Sequence, residues 1–300
     1  MDNLLLLFQA PTLALQVLID GLLVGAILAM PAYGMAMVWG VMNIINVAQG
    51  EFVVLGGFVA LAMVHAFGIN PIFAIPVSFV ALFMLGWVLY KIVIFRVVDR
   101  DLFISILATF GISIMLQQIM NLIWGADIQT ADPHLESWTF LDGRIVVAQI
   151  KVLAFVLVVV LGAALLVFFG YSKMGRAIRA TAQNARAARI MGVDTDRVYA
   201  TTYALNAAIC GATGALVLMT WIIHPFLGIL YTVRSFLIVV VAGLGNLAGV
   251  VFAGLGLGAV ENFAGFILGA EFQVAFVYLL MVVILVWRNL LLRRKRRYLA

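Results

Sequence analysis

Charge is what this chain lacks most: Asp, Glu, Lys and Arg together make up 10% of its 300 residues, against about a quarter in a soluble domain. That deficit excludes a surface solvated by water. With 66% hydrophobic residues and a mean hydropathy of +1.19, the surrounding medium is lipid. The single cysteine, Cys210, lies in an apolar stretch, which excludes an internal disulfide. The three histidines, His65, His134 and His224, are scattered. Neither His-Glu-x-x-His nor Gly-x-Ser-x-Gly occurs, so neither a metal site nor a membrane-embedded enzyme is expected. A Gly-x-x-x-x-Gly-Lys-Ser/Thr loop is also missing, so this chain is expected to bind no ATP in that way, and no other cofactor. Met1-Asp2-Asn3 carries no basic residue ahead of the apolar sequence, and a cleaved signal peptide is not expected.

What is present is a series of apolar runs. Val152 to Phe169 is apolar on every face, which a transmembrane β-strand would not be. The expected fold is therefore an all-α integral membrane protein, a polytopic bundle forming one domain over residues 1–300. Full-length spans of roughly 20 residues are expected at about 12–30, 51–67, 71–95, 102–124, 150–169, 200–223, 247–268 and 272–288. Two shorter stretches, about 32–46 and 231–245, are broken by Gly, Pro or Asn, giving about eight to ten segments in all. Short broken segments early and late in a chain point to a transport pathway, because unwound backbone is tolerated in a membrane only against protein or water.

Charge sets the expected orientation. Loop 170–199 holds Lys173, Arg176, Arg179, Arg186, Arg189 and Arg197, the turn near 98 holds Arg96 and Arg100, and the tail 289–300 holds Arg293 to Arg297. Basic loops stay in the cytoplasm, so these face inward and the acidic loop 125–149 outward. The net charge of +5 comes from these patches, which suit lipid head groups rather than nucleic acid. Parity then favours ten crossings, with both termini inside.

Polar groups at membrane depth are costly and usually face the bundle interior. They are Asn43, Asn46, Gln49 and Glu51 early, Gln117, Gln118 and Asn121 on one span, Asn206 on another, and Asn246, Glu261 and Asn262 late. Each reads either as pathway lining or as a bond between neighbouring helices. Glu51 also reads as a charge offsetting the start of its own helix. Asp20 either pairs with another helix or lies near an interface. The pairs Gly21/Gly25, Gly245/Gly249 and Gly254/Gly258 have the spacing of close helix contacts, within this chain or against a second one.

Residues 174–193, rich in Ala and Arg, predict one short basic helix stopped by Gly192, with Asp194 or Asp196 capping the next. Met174-Gly175-Arg176 at its start and Met191-Gly192-Val193-Asp194 at its end resemble the coupling segment of permease subunits in branched-chain amino-acid importers of the ATP-binding-cassette class. Asn46-Val47-Ala48-Gln49-Gly50-Glu51, Pro225-Phe226-Leu227-Gly228 and the glycine-rich run 241–249 are similar to further motifs of that family, in order, over about residues 20–270. Gln49 stands where the family has His, Asn246 where Ser is common, and Trp287-Arg288-Asn289 where a closing Pro-x-Gly is usual. The resemblance implies an H-type inner-membrane permease of bacteria for branched-chain or related small amino acids, urea or short amides being alternatives. A self-sufficient ion-coupled transporter is the contrasting reading.

The resemblance further implies two cytoplasmic ATPase subunits that use the ATP, a second homologous permease, and an extracytoplasmic solute-binding protein. Gly175, Arg176, Arg179, Gln183, Arg186, Arg189 and Gly192 would couple to the ATPase. Asn43, Asn46, Gln49, Glu51, Gln117, Asn121, Asn206, Asn246 and Glu261 are the pathway candidates.

Overall fold

The computed structural model describes residues 6–297 apart from 8, 99 and 244, without the side chains of 288, 289 and 291–297. Met1-Asp2-Asn3 and the end of the basic tail, 298–300, lie outside the described residues, as do the side chains of Arg293 to Arg297.

Helix α1 (Pro11–Met42) has 32 residues and continues through Pro31, where two segments were expected. Proline removes one amide donor and kinks a helix, but a buried span can hold its course when its neighbours support it. Pro31 is buried here, and its carbonyl takes an extra hydrogen bond from Gln49 Nε2 at 2.7 Å. The break falls later, at Asn43, whose φ of 52° is left-handed. Asparagine tolerates that conformation better than most residues. Residues 43–48 then lead to α2 (Gln49–Phe67).

There follow α3 (Ala74–Ile92), α4 (Leu102–Trp124), a hairpin of β1 (Ser137–Phe140) and β2 (Ile145–Ala148), and α5 (Gln149–Tyr171). The basic segment forms α6 (Lys173–Gln183) and α7 (Ala185–Ile190). The last four helices are α8 (Thr195–Thr220), α9 (Gly228–Ala242), α10 (Leu247–Leu268) and α11 (Ala270–Arg297).

Among the described residues, eight helical segments are long and apolar enough to cross a membrane, and α9 is a shorter apolar helix. The central element is α8, with 94% of its apolar window buried, while α11 has 6%. Small residues make that centre possible. Gly56 of α2 meets the Gly211 backbone of α8, and Gly86 of α3 meets Ala204 and Ala207. The pairs Gly21/Gly25 and Gly254/Gly258 face each other between α1 and α10, at distances that leave no room for a Cβ. Gly245 and Gly249 do not act as such a pair: Gly245 precedes α10 with a φ of 77°, and Gly249 lies against Asn246.

Two ends of the bundle are defined by contacts. Gln16 exchanges hydrogen bonds of 2.8 and 2.9 Å with Val146, Gln129 pairs with Ile223, and Asn70 donates to Pro133 O. The start of α1 therefore shares an end with the acidic loop 125–148. At the opposite end Lys91 and Tyr90, on α3, bind Asp196 at the start of α8. Counting α1 once gives eight long apolar helices and one shorter one among the described residues. The short segment expected at about 32–46 is the second half of α1, which continues through a proline that the packing accommodates.

Candidate functional site

The two interrupted segments meet inside the bundle. Gly50 N donates to Thr232 Oγ1 at 2.8 Å, and Thr232 Oγ1 donates to Val47 O at 3.0 Å. Gly50 and Gly228 are in such close contact that a Cβ on either would collide with the other helix or with Glu51. The starts of α2 and α9 thus abut, and α2 runs towards the acidic end while α9 runs towards the basic end.

Glu51 sits at this junction, 1% exposed. Its Oε1 accepts from Gln117 Nε2 at 2.7 Å and Ser113 Oγ at 3.1 Å, both on α4. Its Oε2 has no hydrogen-bond partner among the described residues and lies against Gly228. Positive potential at two helix starts favours an acidic side chain at this position. Glu51 therefore serves two other helices besides occupying the first turn of its own.

A polar chain continues from the junction into α8. Asn46 Nδ2 donates to Gln49 Oε1 at 3.2 Å, Gln49 Nε2 reaches Cys210 Sγ at 3.0 Å, and Cys210 lies 4.0 Å from Asn206 Oδ1. All four side chains are buried. Asn46, Gln49, Glu51, Gln117 and Asn206 are thereby brought together.

The remaining candidates lie elsewhere. Asn43 is exposed at the end of α1, Asn121 is half-buried near the end of α4, and Gln118 is exposed. Asn246 caps α10, its Oδ1 accepting from Gly249 N at 3.0 Å. Asn262 Nδ2 donates to Val17 O at 2.8 Å. Glu261 binds Arg234 Nε at 3.1 and 3.2 Å, and Asp20 pairs with Lys151. Arg234 and Lys151 were not singled out by the sequence reading. Each is the sole charged residue of its apolar helix, which is a legible signal.

The basic segment is two helices rather than one. Asn184 leaves the helix with φ −160° and ψ 99°, and its Oδ1 accepts from Ala187 N at 3.0 Å, capping α7. Asparagine favours this role over a helix interior. Arg176, Arg179, Gln183 and Arg186 therefore do not share one continuous helical stripe. Ser172 caps α6, and Gly175 is required because its Cα packs on the backbone of Phe168 and Phe169. Arg176 Nη1 donates to Tyr171 O at 2.8 Å, tying α6 to the end of α5. Arg189 binds Thr195 Oγ1 at 2.9 Å, tying α7 to α8. Gly192, with a φ of 84°, ends the segment as expected, and Asp194 rather than Asp196 caps α8. Ile190 and Met191 project from the tip at 81% and 83% exposure. Arg179 lines a cavity of about 380 Å³ between α6, α1 and the start of α10.

A polytopic helical bundle with two interrupted segments meeting at a buried polar junction, taken with the family match over most of its length, makes the chain a membrane permease. The chain belongs to the family described as "Branched-chain amino acid transport system / permease component", whose match spans residues 17–285. It is 28% identical over 248 residues to the high-affinity branched-chain amino acid transport system permease protein LivH of Escherichia coli, covering 78% of this chain and 80% of that protein. The corresponding protein BraD of Pseudomonas aeruginosa is 28% identical over 249 residues, covering 78% and 81%. A probable LivH of Methanocaldococcus jannaschii is 27% identical over 228 residues, covering 74% and 72%. No solved structure matches the chain.

Proposed function

We propose that this chain is the translocation subunit of an ATP-driven importer of branched-chain or related small amino acids in a bacterial inner membrane. The chain itself binds no nucleotide. Its partners in this reading are two cytoplasmic ATPases, a second homologous permease and an extracytoplasmic binding protein. The basic end of the bundle, with α6, α7 and the end of α11, faces the cytoplasm, following the charge asymmetry.

The observation that carries the reading is the tip of α7. Ile190 and Met191 stand clear of the bundle, next to Arg186 and Arg189, at the end of a pair of short helices whose two caps and two arginine ties fix it to α5 and α8. Exposed apolar side chains rimmed by charge suit a protein partner. A helix pair tied to a span at each end passes a displacement on to the spans it joins. Gln49, Glu51, Gln117 and Asn206 would line the moving junction within the bundle.

Burying an Ile or Met side chain contributes about 1.5–3 kcal/mol. Ile190→Asp combined with Met191→Asp is therefore expected to cut association with the ATPase, and uptake of L-leucine by the reconstituted importer, by about a hundredfold or more. The isolated chain should keep its thermal stability, because neither side chain is buried. Undiminished uptake by that double variant would remove the coupling role.

A further inference from the structure

A second cavity, of about 360 Å³, opens between α1, α5, α9, α10 and α11, on the acidic side of the junction. Its size falls within the ~300–1,000 Å³ usual for small-molecule sites. Part of the lining is charged: Asp20 with Lys151, and Arg234 with Glu261, beside Asn262. Interleaved with these charged groups are the apolar side chains of Val24 and Leu28, on the same face of α1 as Asp20, and of Trp221, Ile222, Leu227 and Tyr231.

We propose that this chamber binds a free zwitterionic α-amino acid with an aliphatic side chain on its way through the importer, an inference that rests on the reading of the chain as an importer subunit. Two cations and two anions make the lining neutral overall. A ligand carrying one charge of each sign keeps that balance, whereas a simple amine or acid would not. Arg234 uses Nε and Nη2 on Glu261, leaving the Nη1 hydrogens to meet a carboxylate. Lys151 occupies Oδ1 of Asp20, leaving Oδ2 to accept from an ammonium group. Val24 and Leu28, one turn apart on α1, offer the hydrocarbon side chain a dry surface.

A bland alternative is that both ion pairs merely join helices. Charged groups cost about 2.5–3.5 kcal/mol each to place at mid-membrane, and apolar packing usually joins helices at less expense. Two such pairs lining one cavity together with aliphatic side chains fit a ligand better than a scaffold.

The test is cysteine protection in the assembled importer in lipid nanodiscs. Cys210 is fully buried, so Val24→Cys would add the one reactive thiol to the transmembrane bundle. A control with the native chain corrects for thiols of the partner subunits. Methyl methanethiosulfonate should label Val24→Cys, and saturating L-leucine should slow that labelling at least about fivefold. Isopentylamine and 4-methylpentanoate, each lacking one charge, should leave it unchanged. Asp20→Asn, which keeps the side-chain shape and an oxygen that can accept from Lys151, should abolish the protection by L-leucine while Tm in detergent shows the bundle still folded. Failure to label, labelling that L-leucine does not slow, or equal protection by the amine or the acid alone would each overturn the proposal. Uptake of L-leucine without protection removes the chamber and leaves the importer reading intact. Protection without ATP-driven uptake keeps the chamber as a binding site and removes the importer reading.

Discussion

The carboxylate of Glu51 rests on the Cα of Gly228, the first residue of α9, while Glu51 itself is the third residue of α2. Two helix starts therefore share one buried carboxyl group. This geometry makes the interrupted segments a joint: neither α2 nor α9 can shift without moving the group that the other stabilises.

Gly228→Ala should be strongly destabilising, because the new methyl group would enter the space of the carboxylate. Overpacking typically costs about 1–3 kcal/mol. Thermal unfolding in detergent should show this as a lowered Tm. Adding Glu51→Ala should recover part of the loss, and a strictly additive double variant would mean the two residues do not touch.

Breaking the Arg234–Glu261 pair should cost more than removing it. The side chains are 15% and 3% exposed, so Arg234→Met alone strands a buried carboxylate. The expected loss is about 3–5 kcal/mol, with the double variant Arg234→Met and Glu261→Met recovering most of it. Equal stability of the single and double variants would show that Glu261 is solvated.

The Lys91–Asp196 pair is the contrasting case. Its side chains are 46% and 37% exposed, and pairs of that kind contribute about 0–1 kcal/mol. Lys91→Ala should leave Tm almost unchanged. A large drop would mean that the link between α3 and α8 depends on this ion pair rather than on helix packing.

Asn184→Ala removes the cap of α7, a change that typically costs about 1 kcal/mol locally. Global stability should barely move, because α7 is peripheral. The expected effect is looser coupling: ATP hydrolysis by the assembled importer continues while uptake falls. Asn184→Asp, which keeps a capping oxygen, should restore uptake. If it does not, the cap is not what matters at this position.

Much of the fold was legible because apolar length and charge are local properties. The spans at 102–124 and 247–268 coincide with α4 and α10, since each is bounded by its own capping residue, Asp101 or Asn246. The stop at Gly192 was legible for the same reason. Proline misled at residue 31, where the packing around the helix outweighed its local preference, and Asn184 divided a segment whose composition favours one helix.

Taken by itself, the sequence determined that the chain is helical, lies in lipid, and has one basic and one acidic set of loops, because hydrophobicity and charge act residue by residue. Tertiary structure alone decided which polar groups meet. Asp20 finds Lys151 across 131 positions, and Gly50 finds Thr232 across 182. Within lipid a buried polar group must be satisfied by another part of the protein. Which part is chosen depends on where glycines let helices approach, and that is a property of the packed bundle.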